Sequence, residues 1–272
     1  MQSFSVLMSV YAKEKPENVI TCFESLLAQS VLANEWVLVE DGPLTDDMYQ
    51  VLDMYQNKYP NLIKRIKLKR NVGLGLALRE GIKHCSNELI ARMDTDDIAR
   101  KNRFELQLKE FAKDSKLDIC GGQIIEFDRN PSNVIGTRKV PLKDVDIKEY
   151  QKKRDALNHM TVMYKKDAVL QAGNYQNILL MEDSLLWANM FMTNSKAVNV
   201  PEILVLVRAG NNMLQRRGGL SYFRKYRAGR KAILKTKFIS YWDYLVTIVA
   251  QLFVTLLPLS LRKWFYIQFL RK

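Results

Sequence analysis

Short apolar runs and stretches with helical spacing alternate along the first half of the chain. Residues 4–11 (FSVLMSVY), 36–39 (WVLV), 63–68 and 89–93 (LIARM) are brief apolar runs bounded by polar or turn residues, the pattern of buried strands. Between them the apolar residues recur at helical spacing. Residues 16–28 carry Val19, Ile20, Phe23, Leu26 and Leu27 in this way, residues 46–59 end at Pro60, and residues 74–85 and 103–112 complete the set. The second half is more mixed, with strands expected over 119–127 and 198–207 and helices over 166–172 and 183–191. Residues 129–155 are charged, irregular and contain Pro131 and Pro141, and read as a mobile loop over a site. This order predicts an α/β fold, a mixed but mostly parallel sheet flanked by helices. Right-handed crossovers then bring the strand C-terminal ends to one edge, where open α/β sheets bind ligands.

The last quarter changes character. Residues 210–237 are basic, with Arg216, Arg217, Arg224, Lys225, Arg227, Arg230, Lys231, Lys235 and Lys237 and no acid. An apolar run of about fifteen residues follows, 245–259, interrupted by Thr247, Gln251, Thr255 and Pro258 and flanked by Trp242, Tyr244, Trp264 and Tyr266. A spanning helix needs roughly twenty apolar residues. An in-plane amphipathic segment with interfacial aromatic anchors is the better expectation, with a terminal helix packed on the core as the alternative.

Charge sharpens this. Residues 1–202 hold 28 basic and 28 acidic side chains, whereas residues 203–272 hold 14 basic residues and one acid, Asp243, so the whole net charge of +13 lies in the tail. A neutral body with a basic, apolar tail points to an anionic membrane surface rather than to nucleic acid. The chain is therefore divided into a domain of residues 1–209 and a basic, amphipathic helical segment of residues 210–272. Of its 272 residues 47% are hydrophobic, enough for a sizeable core. Cys22, Cys85 and Cys120 are scattered, odd in number and without zinc spacing, which predicts a reducing compartment and no structural zinc. The start, MQSFSVLMSVYAKEK, lacks the basic-then-apolar order of a secretory signal. A cytoplasmic chain held peripherally at the inner face of the cell membrane is expected.

Four constellations can carry chemistry. Asp94-Thr95-Asp96-Asp97 directly follows the strand LIARM. Carboxylates at i and i+2 of a turn can converge on one hard cation, and Mg²⁺ or Mn²⁺ completes its shell with phosphate oxygens. A solvated turn capping the next helix, with Asp97 as N-cap, would use the same residues. Glu40-Asp41-Gly42 ends a central strand, where a carboxylate can accept from a base N–H or a ribose hydroxyl, or simply form an Asp-Gly turn. Arg70-Asn71-Val72-Gly73-Leu74-Gly75 allows close backbone approach ahead of a helix N-terminus, which favours anions or serves only as a helix entry. Glu182-Asp183 opens an apolar helix, where it complements the dipole or places a general base for a sugar hydroxyl. Beyond these, His159 stands in Asn158-His159-Met160, a setting more often structural than catalytic. Arg208 and Gln215-Arg216-Arg217 can hold phosphates or form a solvated basic face.

Together these segments resemble the family 2 nucleotide-sugar glycosyltransferases, which have the GT-A fold, a Rossmann-like sheet. The resemblance runs through FSVLMSVY, VLVEDG, RNVGLGLALREG, LIARMDTDD, LNHMTVMYKKDAVLQAGNY and MEDSLLWANM, over residues 3–208, in a specific order and spacing. The C-terminal pattern is similar to bacterial members that build capsule, lipopolysaccharide O-antigen or exopolysaccharide. The resemblance implies that Ser9 and Tyr11 border the nucleotide pocket and that Asp41 binds the base, with Glu40 beside it. It puts Arg70 and Asn71 near the nucleotide or its diphosphate. Asp94, Asp96 and Asp97 become a DxD-like motif, with Asp96 and Asp97 facing ribose and metal. Asp183 becomes the catalytic base, Glu182 helps to hold the acceptor, and His159 lies on the acceptor side. The family's DDGS turn stands here as Glu40-Asp41-Gly42-Pro43. Its processive QxxRW motif is replaced by Gln215-Arg216-Arg217-Gly218, which implies transfer of a single sugar.

The expected reaction is an inverting transfer from a nucleotide-diphosphate sugar, UDP-sugar first, with Mn²⁺ or Mg²⁺, to a lipid-linked saccharide. A nucleotidyltransferase would usually carry a Gly-rich signature near its N-terminus, which FSVLMSVYAKEK lacks. A nucleic-acid-binding protein fits the neutral body poorly, and an inactive membrane scaffold would not need the intact carboxylate set.

Overall fold

The computed structural model describes residues 2–209, 218–258 and 261. Its N-terminal part alternates β1 (Phe4–Val10), α1 (Pro16–Leu27), β2 (Glu35–Glu40), α2 (Asp46–Lys58), β3 (Ile63–Lys67), α3 (Leu74–His84) and β4 (Leu89–Arg92). Then follow β5 (Ile98–Ala99), α4 (Arg103–Lys113), β6 (Leu117–Phe127), β7 (Val134–Arg138) and α5 (Asp144–Gln151). A 3-10 turn at His159–Thr161 leads into β8 (Met163–Lys165), α6 (Lys166–Gln171), α7 (Glu182–Met192) and β9 (Lys196–Arg208). The tail forms α8 (Gly219–Lys235) and α9 (Tyr241–Leu256).

The sheet runs β3-β2-β1-β4-β8-β6-β9-β5, with β7 on β6. The pairs of β3, β2, β1 and β4 are parallel, as is β6 with β9. β8 is antiparallel to both β4 and β6, and β5 and β7 are antiparallel to their neighbours. The sheet is therefore mixed, as expected: β1 to β4, β6 and β9 share one direction, and β5, β7 and β8 run against them. β8 enters the sheet from the 3-10 turn at the ligand edge, so it runs back against its neighbours. The consequence for function is simple. β1 to β4, β6 and β9 end at one edge, and β5 and β8 begin there.

Residues 129–155 also differ from expectation. They are not one loop: residues 134–138 pair with β6, and α5 buries Ile147. Asp144 at its start accepts the Ala197 N–H at 2.8 Å, which ties α5 to β9.

Period-two alternation assigns the strand side chains to two faces. Val6, Met8, Trp36, Leu38, Leu89 and Ala91 pack with residues of α1, α2 and α4. Leu7, Val37, Val39 and Ile90 pack with residues of α3, α6 and α7. Both faces are covered, which is why these strands read as continuous apolar runs. The same alternation puts Arg92, two residues after Ile90, on the α7 face. The three cysteines are free and buried.

α8 packs on α7 through Met181, Leu185, Ala188, Ile233 and Ile239. α9 begins with a capping box in which Ser240 and Asp243 satisfy each other's backbone N–H, so the tail's lone acid is a helix cap. Among the described residues no helix is long and apolar enough to cross a membrane. Trp264 and Tyr266 lie outside the described residues.

Candidate active site

Every sequence candidate among the described residues except Glu182 and Asp183 sits where a strand meets the ligand edge. Those two open α7. Ser9 and Tyr11 close β1. Thr95 donates its hydroxyl to the Ser9 carbonyl at 3.3 Å, which joins the β1 and β4 ends.

Asp41 is buried, and its carboxylate accepts the Val72 and Gly73 N–H groups at 2.7 and 3.0 Å. Asn71 in turn donates its amide to the Asp41 carbonyl at 3.2 Å. The Asp-Gly turn thus shapes the 70–73 loop and presents exposed Arg70 and Asn71 at the edge. Gly42 is required twice over. Its φ is +87°, and a Cβ there would stand 2.5 Å from the Asn71 nitrogen. Gly42→Ala is expected to cost about 2–4 kcal/mol, read by chemical denaturation. Glu40 is buried and paired with Arg65 of β3, which also pairs with Asp53. One Glu40 oxygen, Oε2, has no protein partner.

The carboxylates of Asp94, Asp96 and Asp97 offer oxygens within 4.8 Å of one another. Asp94 pairs with the buried Arg92 guanidinium. Asp97 accepts the Arg208 N–H at 2.8 Å. Burial, and then the neighbouring Asp94 charge, push the Asp96 carboxyl up to about 7. Burial and the Asp96 charge raise Asp97 well above the usual range. Three hard oxygen donors, two of them with raised carboxyls, fit a divalent cation, Mg²⁺ or Mn²⁺ in type. Arg208 spends its guanidinium on the Asp96 carbonyl (3.2 Å) and the Arg129 carbonyl (2.8 Å), over the Phe127 ring, so it braces the acidic turn. Arg216 and Arg217 lie outside the described residues.

Glu182 and Asp183 occupy the first turn of α7. Gly75 lets α3 approach them, since a Cβ there would meet the Glu182 Cβ at 2.9 Å. Burial first, then the charges of Asp155 and Glu182, raise Asp183 well above the carboxylate range. His159 is 8% exposed and shares a 2.7 Å hydrogen bond with the Tyr175 hydroxyl, edge-on to Trp187. Burial and the Arg92 charge hold it neutral.

Two residues were not singled out from the sequence. Arg92 carried a signal, a charge inside an otherwise apolar strand. It is 1% exposed, and its Nε and one terminal nitrogen lack protein partners. Its charge acts on Asp94, on Asp96 and Asp97, and on Glu182 and Asp183. Asp155 carried none, lying in the charged, irregular stretch.

A Rossmann-like sheet edge with a metal-capable carboxylate turn and a second, half-buried carboxylate pair is an architecture suited to nucleotide-sugar transfer. The glycosyl transferase family 2 model matches residues 5–170, and the chain belongs to that family. It is 41% identical over 277 residues to an uncharacterized glycosyltransferase of Haemophilus influenzae, covering 99% of each chain. It is 34% identical over 269 residues to the UDP-Gal:alpha-D-GlcNAc-diphosphoundecaprenol beta-1,3-galactosyltransferase of Escherichia coli, covering 99% of this chain and 97% of that one. The crystal structure of S. aureus TarS 1-349 shares the fold, with a TM-score of 0.65 at 16% identity over 97% of this chain and 78% of that one. Of the longer S. aureus TarS chain, 44% is covered. The protein is a glycosyltransferase of GT-A-like fold, with an aspartate cluster suited to a divalent metal.

Proposed function

We propose that residues 1–209 transfer one sugar, with inversion, from a UDP-sugar to a lipid-linked saccharide, and that residues 210–272 hold the enzyme at an anionic membrane surface on the cytoplasmic side. The observation that carries the catalytic part is the shared position of Arg92. Its guanidinium pairs with Asp94, and its charge bears on Asp96 and Asp97 as well as on Glu182 and Asp183, which supports reading the two carboxylate sets as parts of one site.

In this reading Asp183, whose raised proton affinity suits a base for a weakly acidic hydroxyl, takes the acceptor proton as the oxygen attacks the anomeric carbon. Attack comes from the face opposite the diphosphate, so an α-linked donor yields a β-linked product. Asp96 and Asp97 would hold the cation, which when bound supplies charge neutralisation for the leaving diphosphate. Asp41 with Glu40, Ser9 and Tyr11 would border the nucleoside, with Arg70 and Asn71 on the diphosphate side. Glu182 and the wall containing His159 would face the acceptor. UDP and a diphospho-lipid acceptor are favoured because the E. coli relative is named for that pair. Calorimetric titration with UDP and other nucleoside diphosphates, with and without Mn²⁺, tests the donor site. Failure of the folded protein to bind any of them would overturn the transferase mechanism drawn here.

The membrane reading rests on an inverted helix. α9 turns Thr247 and Thr255 inward, to 6% and 7% exposure, and presents Tyr241, Trp242, Val249, Phe253 and Leu256 to solvent. Beside it α8 exposes Arg224, Lys225, Arg227, Lys231 and Lys235 with no acid. An apolar face next to clustered cations matches an anionic interface. Trp242→Asp with Phe253→Asp is expected to weaken binding to phosphatidylserine-containing vesicles at least about tenfold in sedimentation assays. Unchanged binding would move the contact elsewhere.

A further inference from the structure

Arg230 is a cation of the basic tail that the membrane reading does not use. It is 2% exposed. Its Nε donates to the Thr247 hydroxyl at 3.1 Å, and a terminal nitrogen donates to the Lys152 carbonyl at 2.6 Å. One residue earlier, Gly229 lies so close to α7 that an added Cβ would stand 2.7 Å from the Met181 sulfur. Met181 immediately precedes Glu182 and Asp183. α8 is therefore seated against the start of the helix that carries the proposed base.

The segment that Arg230 grips leads directly to Asp155. Asp155 Oδ1 accepts from the Gln151 amide at 3.3 Å and from the Ser184 hydroxyl, and its carbonyl accepts from Arg138 at 2.8 Å. Ser184 in turn donates its backbone N–H to Asp183 Oδ1 at 2.7 Å. A continuous series of contacts thus runs from α9 and α8 through residues 152–155 to Asp183.

Resting on the reading of Asp183 as the base, we propose that Asp155 is a positioning residue for Asp183 and that Arg230 anchors the Asp155 segment, so the C-terminal hairpin completes the acceptor side of the active site. The charges facing Asp183 are Asp155 and Glu182, which raise its proton affinity, and Arg92, which lowers it. Tyr175 also lies within reach of Asp183. Asp155 itself faces Arg230, Tyr226 and Glu182.

Two measurements on the full chain test this without any acceptor. In the first, ¹³C NMR titration follows the Asp183 carboxyl in aspartate-labelled protein, assigned by its loss in Asp183→Asn. Asp155→Asn keeps an acceptor for Ser184 and removes a like charge, so the Asp183 midpoint should fall by about one pH unit. A midpoint that stays put in a folded Asp155→Asn variant would overturn the positioning role. In the second, hydrogen exchange is followed at residues 152–155 and 182–184. Arg230→Met should speed exchange there at least about tenfold, and Arg230→Lys should restore part of the protection. Exchange at wild-type rates would overturn the anchor. If Arg230→Met does not fold, Thr247→Val, which removes one Arg230 partner, gives a smaller effect in the same amides or refutes the anchor by giving none. Should Asp183→Asn retain full transfer, the base reading fails, while both measurements still report on the contacts.

Discussion

Asp96→Ala is expected to abolish metal-dependent nucleotide binding and to lower kcat/KM for transfer about 10³-fold. Asp96 is the informative member of its cluster. Asp94 neutralises Arg92, so its removal would leave a buried guanidinium unpaired, at about 3–5 kcal/mol of stability. Asp97 holds the Arg208 N–H, so its removal would loosen the β9 end. Asp96 makes no such side-chain bond among those found, and its carboxyl is raised by burial and by Asp94. Removing it relieves repulsion and should leave the melting temperature unchanged or higher. Calorimetry with UDP and Mn²⁺ against UDP alone separates the effects. Metal-dependent binding that survives in Asp96→Ala would remove this carboxylate from the metal site.

Asp183→Asn should lower kcat by about 10²–10⁴-fold, the usual contribution of a general base, with nucleotide affinity kept. The amide oxygen can still accept the Ser184 N–H, so the first turn of α7 should persist. A carboxylate beside Asp155 and Glu182 is destabilised by burial and like charge. Its neutral isostere should therefore not lower stability. Single-turnover transfer together with a melting curve checks both parts. Full activity in Asp183→Asn would exclude it as the base.

Gly42→Ala, the α9 double variant and the Asp155 and Arg230 series probe different links: local backbone, membrane contact and the support of the base. The first acts on stability before chemistry. The second should act on vesicle binding and spare donor binding. Only the last moves the titration of Asp183.

Much of the candidate site was legible because topology is local. A strand whose apolar run ends in Asp94 or in Glu40-Asp41 announces both the element and the polar group at its tip. The six segments that carried the family resemblance fall on β1, β2, β4 and β8, on the turns that follow β2, β3 and β4, and on α3, α6 and α7. The weaker signals were the short ones. β8 has three residues, β5 has two, and β7 lies in a charged stretch whose side chains are mostly half-exposed or exposed. Pairing, not hydrophobicity, defines them, and pairing is a property of the neighbour.

The sequence by itself determined the parallel half-sheet, the carboxylates at strand tips and the concentration of charge in the tail, because each follows from side-chain pattern over a few residues. Tertiary structure decided which charges meet. Alternation and packing buried Arg92 beneath two carboxylate sets. The path of residues 152–155 brought Asp155 to Ser184. α8 withdrew Arg230 from the basic face to grip the Lys152 carbonyl, and α9 turned its threonines inward and its apolar residues outward. These are contacts between segments far apart in the chain, so their energies are set by burial and dielectric that no local pattern encodes.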